Sequence, residues 1–329
     1  MIQSMKPRSR LMCPSTNASK DVFLSLVDYY NSRFTSEDPE KVVEFYNGLT
    51  NADGLIEWMK ERPKGVANIY EVDGEKETIV VIPTADFNGK YAKECRENIF
   101  KGLHLIYVES GGKEDFYFSC AHNYNVGIRK AMEYSPKWII FSNDDVLKID
   151  DVRKLKYSLL RLSSDREMIV LTCEQGIYHS RLASLSYRTL RRKILLTLMG
   201  RREMKRLSLE KKFDIRYVIG STLWPYKLIY RPAKQVMYFG SFGIFSSALV
   251  RKYGSKLFDE TYITGTEDID LSWRIKQDRI EAACIDYRIG DIIGGTIGPY
   301  NLMRRFRGLV NDCYLNFKIK RGELELKID

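Results

Sequence analysis

Two adjacent aspartates stand at the end of an apolar run in the middle of the chain. The run WIIFS ends at Ser142, and Asn143, Asp144 and Asp145 follow it. Carboxylate and amide oxygens are the ligands that a hard divalent cation prefers. Asn-Asp-Asp is also an ordinary turn sequence after a strand. The residue types therefore allow a cation site or a simple turn, and their position in the fold must decide between the two.

A second acidic group follows about 120 residues later, in the sequence TEDIDLSWR. Thr266 is a suitable N-cap for a helix whose first turn contains Glu267, Asp268 and Asp270. Acids in that turn favour the helix dipole, and Asp270 is spaced to pair with Arg274. These structural roles would account for the acids. A carboxylate at a helix start can also accept a proton from an attacking hydroxyl, so both interpretations stay open.

Strands and helices that alternate along the chain would position these groups. The runs TIVVIPT, LHLIYVESGG, KWIIFSNDD and MIVLTCEQG are typical of buried strands, and Lys90–Ile99 and YNVGIRKAMEY are typical of helices. The alternation predicts a doubly wound α/β sheet with helices on both faces, whose ligands bind beyond the carboxyl ends of the strands. We expect three segments to line one crevice there: Pro83-Thr84-Ala85-Asp86, Glu109-Ser110-Gly111-Gly112 and Asn143-Asp144-Asp145.

The excess positive charge is concentrated in one segment. The chain carries 53 Lys and Arg against 43 acids, and residues 181–212 hold eleven basic residues against two acids. This raises the alternative of a basic nucleic-acid-binding protein, but no aromatic platforms alternate with the basic residues, so nucleic acid is not an expected partner. Tyr187, Leu190, Ile194 and Leu198 form an apolar helical stripe in this segment. The stripe predicts a solvated helix or one that lies on an anionic membrane.

The location expected from the sequence is cytoplasmic. No stretch approaches the ~20 apolar residues of a membrane-spanning helix, and the first thirty residues lack the pattern of a signal peptide. The six cysteines are far apart and are interpreted as small core residues. Before the first strand, residues 1–18 are interpreted as a loose tail. Helical periodicity from Asp21 to Arg62 then predicts a small helical segment, with Asp38-Pro39 starting one of its helices.

The usual glycine-rich nucleotide motifs are absent. No G-x-G-x-x-G follows the first predicted strand, and no G-x-x-x-x-G-K-[ST] occurs, so a dinucleotide oxidoreductase or a P-loop NTPase is a poor fit. A nucleotidyltransferase on a related sheet is a further alternative, but PTADFNGK supplies one glycine and one lysine where a basic glycine-rich loop is needed. A crevice can still hold a nucleotide whose phosphates are neutralised by a metal ion.

Five segments, in this order and at these intervals, resemble the family 2 glycosyltransferases of the GT-A fold: IVVIPT, VESGG, NVGIRKA, FSNDDV and LFDETYITGTEDIDLSWRI. The resemblance spans about Thr78 to Thr296. It implies a Rossmann-like, mixed and mostly parallel sheet. It also implies inverting transfer of a sugar from a nucleoside diphosphate sugar, with Mg²⁺ or Mn²⁺ on the diphosphate.

The resemblance also implies roles for individual residues. Asp268 matches the general base, and Glu267 would orient it or contact the acceptor. Asp145 matches the metal ligand, and Asp144 would lie near the ribose or diphosphate. The other matches all concern binding of the nucleotide sugar: Pro83, Thr84 and Asp86 in the first loop, Glu109 and Ser110 where the base or ribose is recognised, and Asn125 and Gly127 at the start of the next helix.

Three positions depart from the family pattern. Asn143 replaces the first aspartate of the D-x-D motif, which leaves fewer charged ligands for the metal. Glu109 stands where an aspartate is usual. Asp291, in the sequence DIIGGT, stands where the family often has a histidine, and we assign it as a second metal ligand.

The resemblance divides the chain into five parts. They are a tail and helical preface (1–76), a nucleotide-sugar-binding half (77–176), a basic insert (177–235), an acceptor and catalytic half (236–300) and a basic C-terminal segment (301–329). The insert and the C-terminal segment favour an acceptor that is lipid-linked or is a glycan or protein close to a membrane. A place on the cytoplasmic face of a membrane is therefore expected.

Overall fold

The computed structural model describes residues 28–36, 38–49, 52–172, 240–254, 257–263, 265–292, 295 and 302–324. The predicted tail and the predicted basic insert, with its apolar stripe, lie outside these residues. Within the described ranges, no helix is both long enough and apolar enough to cross a membrane.

Nine strands are formed by the described residues. They are β1 (Asn68–Val72), β2 (Glu75–Thr84), β3 (Leu103–Glu109), β4 (Trp138–Ser142), β5 (Val146–Lys148), β6 (Met168–Leu171), β7 (Phe242–Ser246), β8 (Glu281–Cys284) and β9 (Ile289–Asp291). Seven of them form one sheet in the order β1-β3-β2-β4-β7-β6-β8, and β5 pairs with β9. In the large sheet, β1 and β7 are antiparallel to their neighbours, and the other five strands share one direction. The sheet is therefore mixed and mostly parallel, as predicted.

Helices cover both faces of this sheet. They are α1 (Pro39–Gly48), α2 (Ala52–Glu61), α3 (Lys90–Glu94), α4 (Cys120–Met132), α5 (Val152–Leu159), α6 (Ser247–Tyr253), α7 (Glu267–Gln277) and α8 (Leu302–Lys320), and residues 28–34 are also helical. A π-helical turn at Cys95–Ile99 continues α3. The side chains of β2 alternate between the faces: Val80 and Ile82 pack with α3 and α5, and Ile79 and Val81 pack with α4, α6 and α7. The fold is thus a mixed α/β fold, consistent with a Rossmann-like architecture.

The helices near the two chain ends form a separate core. Apolar side chains of α1, α2 and α8 pack together with Tyr262, Ile263 and Trp273. The buried Arg62 follows α2, and its guanidinium donates to the carbonyl oxygens of Glu260 at 3.3 Å and Tyr262 at 3.1 Å. The segment that leads into α7 is therefore held by residues from distant parts of the chain.

Several predicted boundaries can be compared with the structure. Asp38 caps α1 as predicted, since its side chain accepts from the Glu40 N–H at 2.9 Å. Strand β1 was missed, and it lies inside the range predicted as tail and helical preface. The helix predicted at YNVGIRKAMEY begins four residues earlier, at Cys120, because Ser119 caps α4. Cys284 is exposed and was wrongly expected in the core.

Gly127 allows α4 to pack closely on the sheet. A Cβ at this position would lie 2.3 Å from Val81 Cγ1 and 3.0 Å from Val108 Cγ2. We expect Gly127→Ala to lower the free energy of unfolding by about 1–3 kcal/mol, because overpacking a well-filled core forces the helix or the strands to shift. Urea unfolding measures this change. Gly308→Ala, where nothing lies within 4 Å of the new Cβ, is the control, and equal stability of the two variants would contradict the prediction.

Candidate active site

The Asn143–Asp145 segment lies at the carboxyl end of the central strand β4, as predicted. Asp144 and Asp145 are 5% and 7% exposed. The Thr84 hydroxyl, at the end of β2, donates to Asp144 Oδ2 at 2.7 Å, and the Cys95 thiol donates to the Asp144 carbonyl at 3.2 Å. The aspartates are therefore buried at a polar edge of the sheet and do not simply form an exposed turn.

Asp291 is the neighbour of this segment through the small two-stranded sheet. It pairs in register with Val146 and is 4% exposed. The next N–H, that of Ile292, donates to the Asp145 carbonyl at 2.8 Å. The chain then returns at Gly295, where a Cβ would lie 3.0 Å from Asp145 Cβ. The two residues predicted as metal ligands thus belong to adjacent segments.

The start of α7 carries the second acidic group. Glu267 is 7% exposed. Among the described residues, none bonds to Glu267 Oε2, which is buried. Burial and, as the second cause, the charge of Asp268 raise the pKa of Glu267 to about 8, while the backbone N–H groups of Glu267 and Gly265 act in the opposite direction. Burial also raises the pKa of the half-buried Asp268 to about 6.

Tyr124 on α4 lies beside the first acidic group. Its hydroxyl donates to Asn143 Oδ1 at 2.9 Å. Burial raises the pKa of the Tyr124 phenol well above its ordinary value, and nearby negative charges, including those of Glu267, Asp145 and Asp144, raise it further. The charges of both acidic groups therefore act on this one phenol. Sequence reasoning missed Tyr124, because a tyrosine on a helix is usually a core residue.

The loops after β2 and β3 form the other side of this edge. Thr84 and Glu109 are paired in register at the ends of their strands. Glu109 Oε2 accepts from the Phe87 N–H at 2.7 Å, so it fixes the loop after β2. Pro83 is buried in β2, while Asp86 is exposed in that loop. The Ser110 N–H donates to the Thr84 carbonyl at 2.9 Å. The structure thus brings the predicted donor-binding residues of both loops together.

Asn125 and Gly127 occupy structural positions on α4. The buried Asn125 amide donates to the Phe258 carbonyl at 2.8 Å and to Glu260 Oε1 at 2.9 Å, and it accepts from the Phe258 N–H at 3.1 Å. Gly127 faces Val81 in the sheet. Both hydrogens of the Asn125 amide are therefore used within the protein. The motif fixes the loop before α7 on α4.

The acids at the sheet edge can be tested for their fit to a divalent cation. In the part of the chain that the structure describes, no group of three or more His, Cys, Asp or Glu side chains is arranged to hold a metal. Mg²⁺ is usually held by one or two carboxylates and completes its shell with water and substrate phosphates. Asp145 and Asp291 are buried oxygen donors on adjacent segments, so they fit a cation of that kind. Their assignment as ligands stays a prediction.

The comparisons with known proteins do not identify a family. No protein-family model matches the chain, and no curated protein matches it. Inferences about function therefore depend on the site itself and on the sequence motifs within it.

Proposed function

We propose that this protein is an inverting glycosyltransferase that moves a sugar from a nucleoside diphosphate sugar to an acceptor hydroxyl. The observation that carries the proposal is the buried polar cluster at the carboxyl edge of the sheet, where Thr84 donates to Asp144 and Tyr124 donates to Asn143 beside Asp144 and Asp145. Ligands of Rossmann-like sheets bind at this edge. The resemblance of the motifs that supply these residues to family 2 glycosyltransferases supports the same reaction class.

The proposed reaction is a single displacement. The acceptor oxygen forms a bond to the anomeric carbon while the bond from that carbon to the diphosphate oxygen breaks, and the electron pair leaves with the diphosphate. The acceptor proton passes to Asp268. A base with a pKa near the working pH is the most effective, and burial raises the pKa of Asp268 to about 6. Asp268 is more exposed than Glu267, which suits contact with an acceptor.

Other residues of the edge would bind the donor. The nucleoside would contact two segments. One is Pro83, Thr84 and Asp86, at the end of β2 and in the loop after it, and the other is Glu109 and Ser110, where β3 ends. Mg²⁺ or Mn²⁺, held by Asp145 and Asp291 with Asp144 near the diphosphate, would stabilise the charge of the leaving group.

The acceptor and the location are proposed from the sequence. The basic segment at 181–212 supports a lipid-linked acceptor or a glycan or protein near an anionic membrane, and thus a cytoplasmic location at the membrane face.

A thermal-shift screen tests the donor site. We expect a nucleoside diphosphate with Mn²⁺ or Mg²⁺ to raise the melting temperature of the wild type, since a ligand at about 100 times its Kd stabilises the folded state by about 2.7 kcal/mol. Asp145→Ala should remove the metal-dependent part of this shift. Asp165→Ala, which changes an exposed aspartate before β6, is the control and should retain it. The absence of a shift with uridine, guanosine, thymidine, adenosine and cytidine diphosphates would contradict the proposal.

A further inference from the structure

The turn before α7 has an unusual backbone. Gly265 has a φ of +95° and Thr266 a φ of +77°, so two successive residues are in the left-handed region. A β-branched residue rarely adopts this conformation, because its side chain clashes with the backbone. Thr266 is the N-cap residue of α7, as predicted, but its side chain makes no capping hydrogen bond, so capping does not offset the strain. Strained backbone of this kind persists only where the surroundings impose it.

Asn311 on α8 contacts this turn from both sides. Its side-chain oxygen accepts from the Ile263 N–H at 3.0 Å, and its amide donates to the Gly265 carbonyl at 3.1 Å. Asn311 is 2% exposed, and its bond from the Ile263 N–H is buried. A single buried side chain therefore spans the residues that flank position 264 and restrains the peptide that leads to Thr266.

The turn leads directly into the acidic pair. The Gly265 carbonyl accepts from Asn311, and the Thr266 carbonyl accepts from the Asp270 N–H at 2.9 Å in the first turn of α7. The turn thus connects Asn311 to the helical turn that carries Glu267 and Asp268. A shift of the Asn311 amide would therefore move the start of α7 and with it Glu267, whose Oε2 is buried and, among the described residues, unbonded.

We infer that Asn311 is a positioning residue, which holds the left-handed turn at Gly265 and Thr266 so that Glu267 stays buried and Asp268 half-buried at the start of α7. The catalytic consequence rests on the proposed function, whereas the restraint of the turn does not. Asn311 comes from the C-terminal helix and lies more than 40 residues from the acids in sequence. The C-terminal helix is in this way part of the construction of the site.

The restraint can be tested without any substrate by a melting cycle of four proteins: the wild type, Thr266→Gly, Asn311→Ala and the double variant. Thr266→Gly should raise the melting temperature of the wild type by about 2–4 °C, because glycine accepts the left-handed conformation. In Asn311→Ala the turn can relax, so Thr266→Gly should give no further rise. The control is Asn123→Ala, which removes a different buried asparagine that bonds to the Val66 and Val108 carbonyls. In that background Thr266→Gly should raise the melting temperature by the full amount. An equal rise in the Asn311→Ala background, or no rise in the wild type, overturns the inference.

Asn311→Ser gives the same comparison if Asn311→Ala does not fold, because serine cannot span both backbone groups. Its turn should also relax, and Thr266→Gly should then add nothing to its melting temperature. A full rise in this background would likewise overturn the inference.

The catalytic part is measured as release of nucleoside diphosphate from a panel of uridine, guanosine and thymidine diphosphate sugars. Asn311→Ala should lower kcat about tenfold or more and leave the donor KM unchanged. The acid limb of the pH–rate profile should move to lower pH, since burial is the main cause of the raised pKa of Asp268. A purely structural loss would lower the rate equally at every pH and would overturn the positioning role. Absence of turnover in the wild type would refute the proposed function, and the melting cycle would still decide the restraint.

Discussion

Replacement of Asp268 by Asn should lower turnover about 10²–10⁴-fold and leave donor binding unchanged. Asparagine has nearly the same shape but cannot take the proton from the acceptor hydroxyl. General-base catalysis typically contributes a rate enhancement of about 10²–10⁴-fold. Because the donor would bind at the ends of β2, β3 and β4, its Kd should not depend on this side chain. Initial rates of nucleoside diphosphate release and donor titrations measured by calorimetry would separate the two effects.

The pH dependence of the wild type provides a second measure of the same base. Burial raises the pKa of Asp268 to about 6, and a base works only when it is ionised. Turnover should therefore be high above pH 6 and fall as the pH is lowered through that value. Asp278→Asn, at the other end of α7, is the control and should retain wild-type turnover. Equal rates for Asp268→Asn and the wild type would rule out this base.

The strands that position the site could be predicted because their signals are local. The run at 138–142 is fully buried, and an uninterrupted apolar run before polar residues indicates a strand end wherever it lies in the chain. Thr84, Glu109 and Asp145 then follow from one rule about the carboxyl ends of parallel strands. The alternation also predicted helices on both faces, which α3 and α5 on one face and α4, α6 and α7 on the other confirm.

Edge strand β1 could not be predicted from its sequence. Four of its five residues are exposed and the fifth is half-buried, so neither an apolar run nor an alternation marks it. It belongs to the sheet because its backbone pairs with β3 over Asn68 to Val72. Backbone pairing of this kind depends on where the partner strand lies and leaves no pattern in the side chains.

The contacts that surround the acids depend on tertiary packing between distant segments. Tyr124 meets Asn143 across 19 residues, and Asn311 meets Gly265 across 46. No spacing rule relates such positions, so the sequence identified the acids but not the residues that hold them. Asn125 shows the converse case, because the sequence identified the residue but not its contacts: its amide fixes the loop before α7, while its match to donor binding stays a prediction.

Replacement of Lys318 by Met should cause the largest loss of stability, about 3 kcal/mol in the free energy of unfolding. The Lys318 ammonium lies 2.5 Å from Asp270 Oδ2 and 3.0 Å from Asp259 Oδ2, and Asp270 is fully buried. Methionine fills a similar volume but leaves the carboxylates of Asp259 and Asp270 with less positive charge beside them. Removal of one partner from a buried ion pair typically costs about 3–5 kcal/mol. Arg274 still pairs with Asp270, which places the expected loss at the lower end. Urea unfolding at pH 7 measures it.

The pH dependence of this loss distinguishes a charge effect from a packing effect. Burial raises the pKa of Asp259, but the charge of Lys318 and hydrogen bonds from Thr261 outweigh it and leave the pKa below its ordinary value. A carboxylate of this kind adds stability above its unfolded pKa of about 3.9, and the contribution is lost as the pH falls through the folded value. The difference between wild type and Lys318→Met should therefore be full at pH 7 and shrink below about pH 4. Lys137→Met, which breaks an exposed pair with Glu77, should unfold close to the wild type at every pH. A difference for Lys318→Met that stays constant down to pH 3 would mean that the lysine acts through its packing alone, and the buried charges would then have no part in fixing the start of α7.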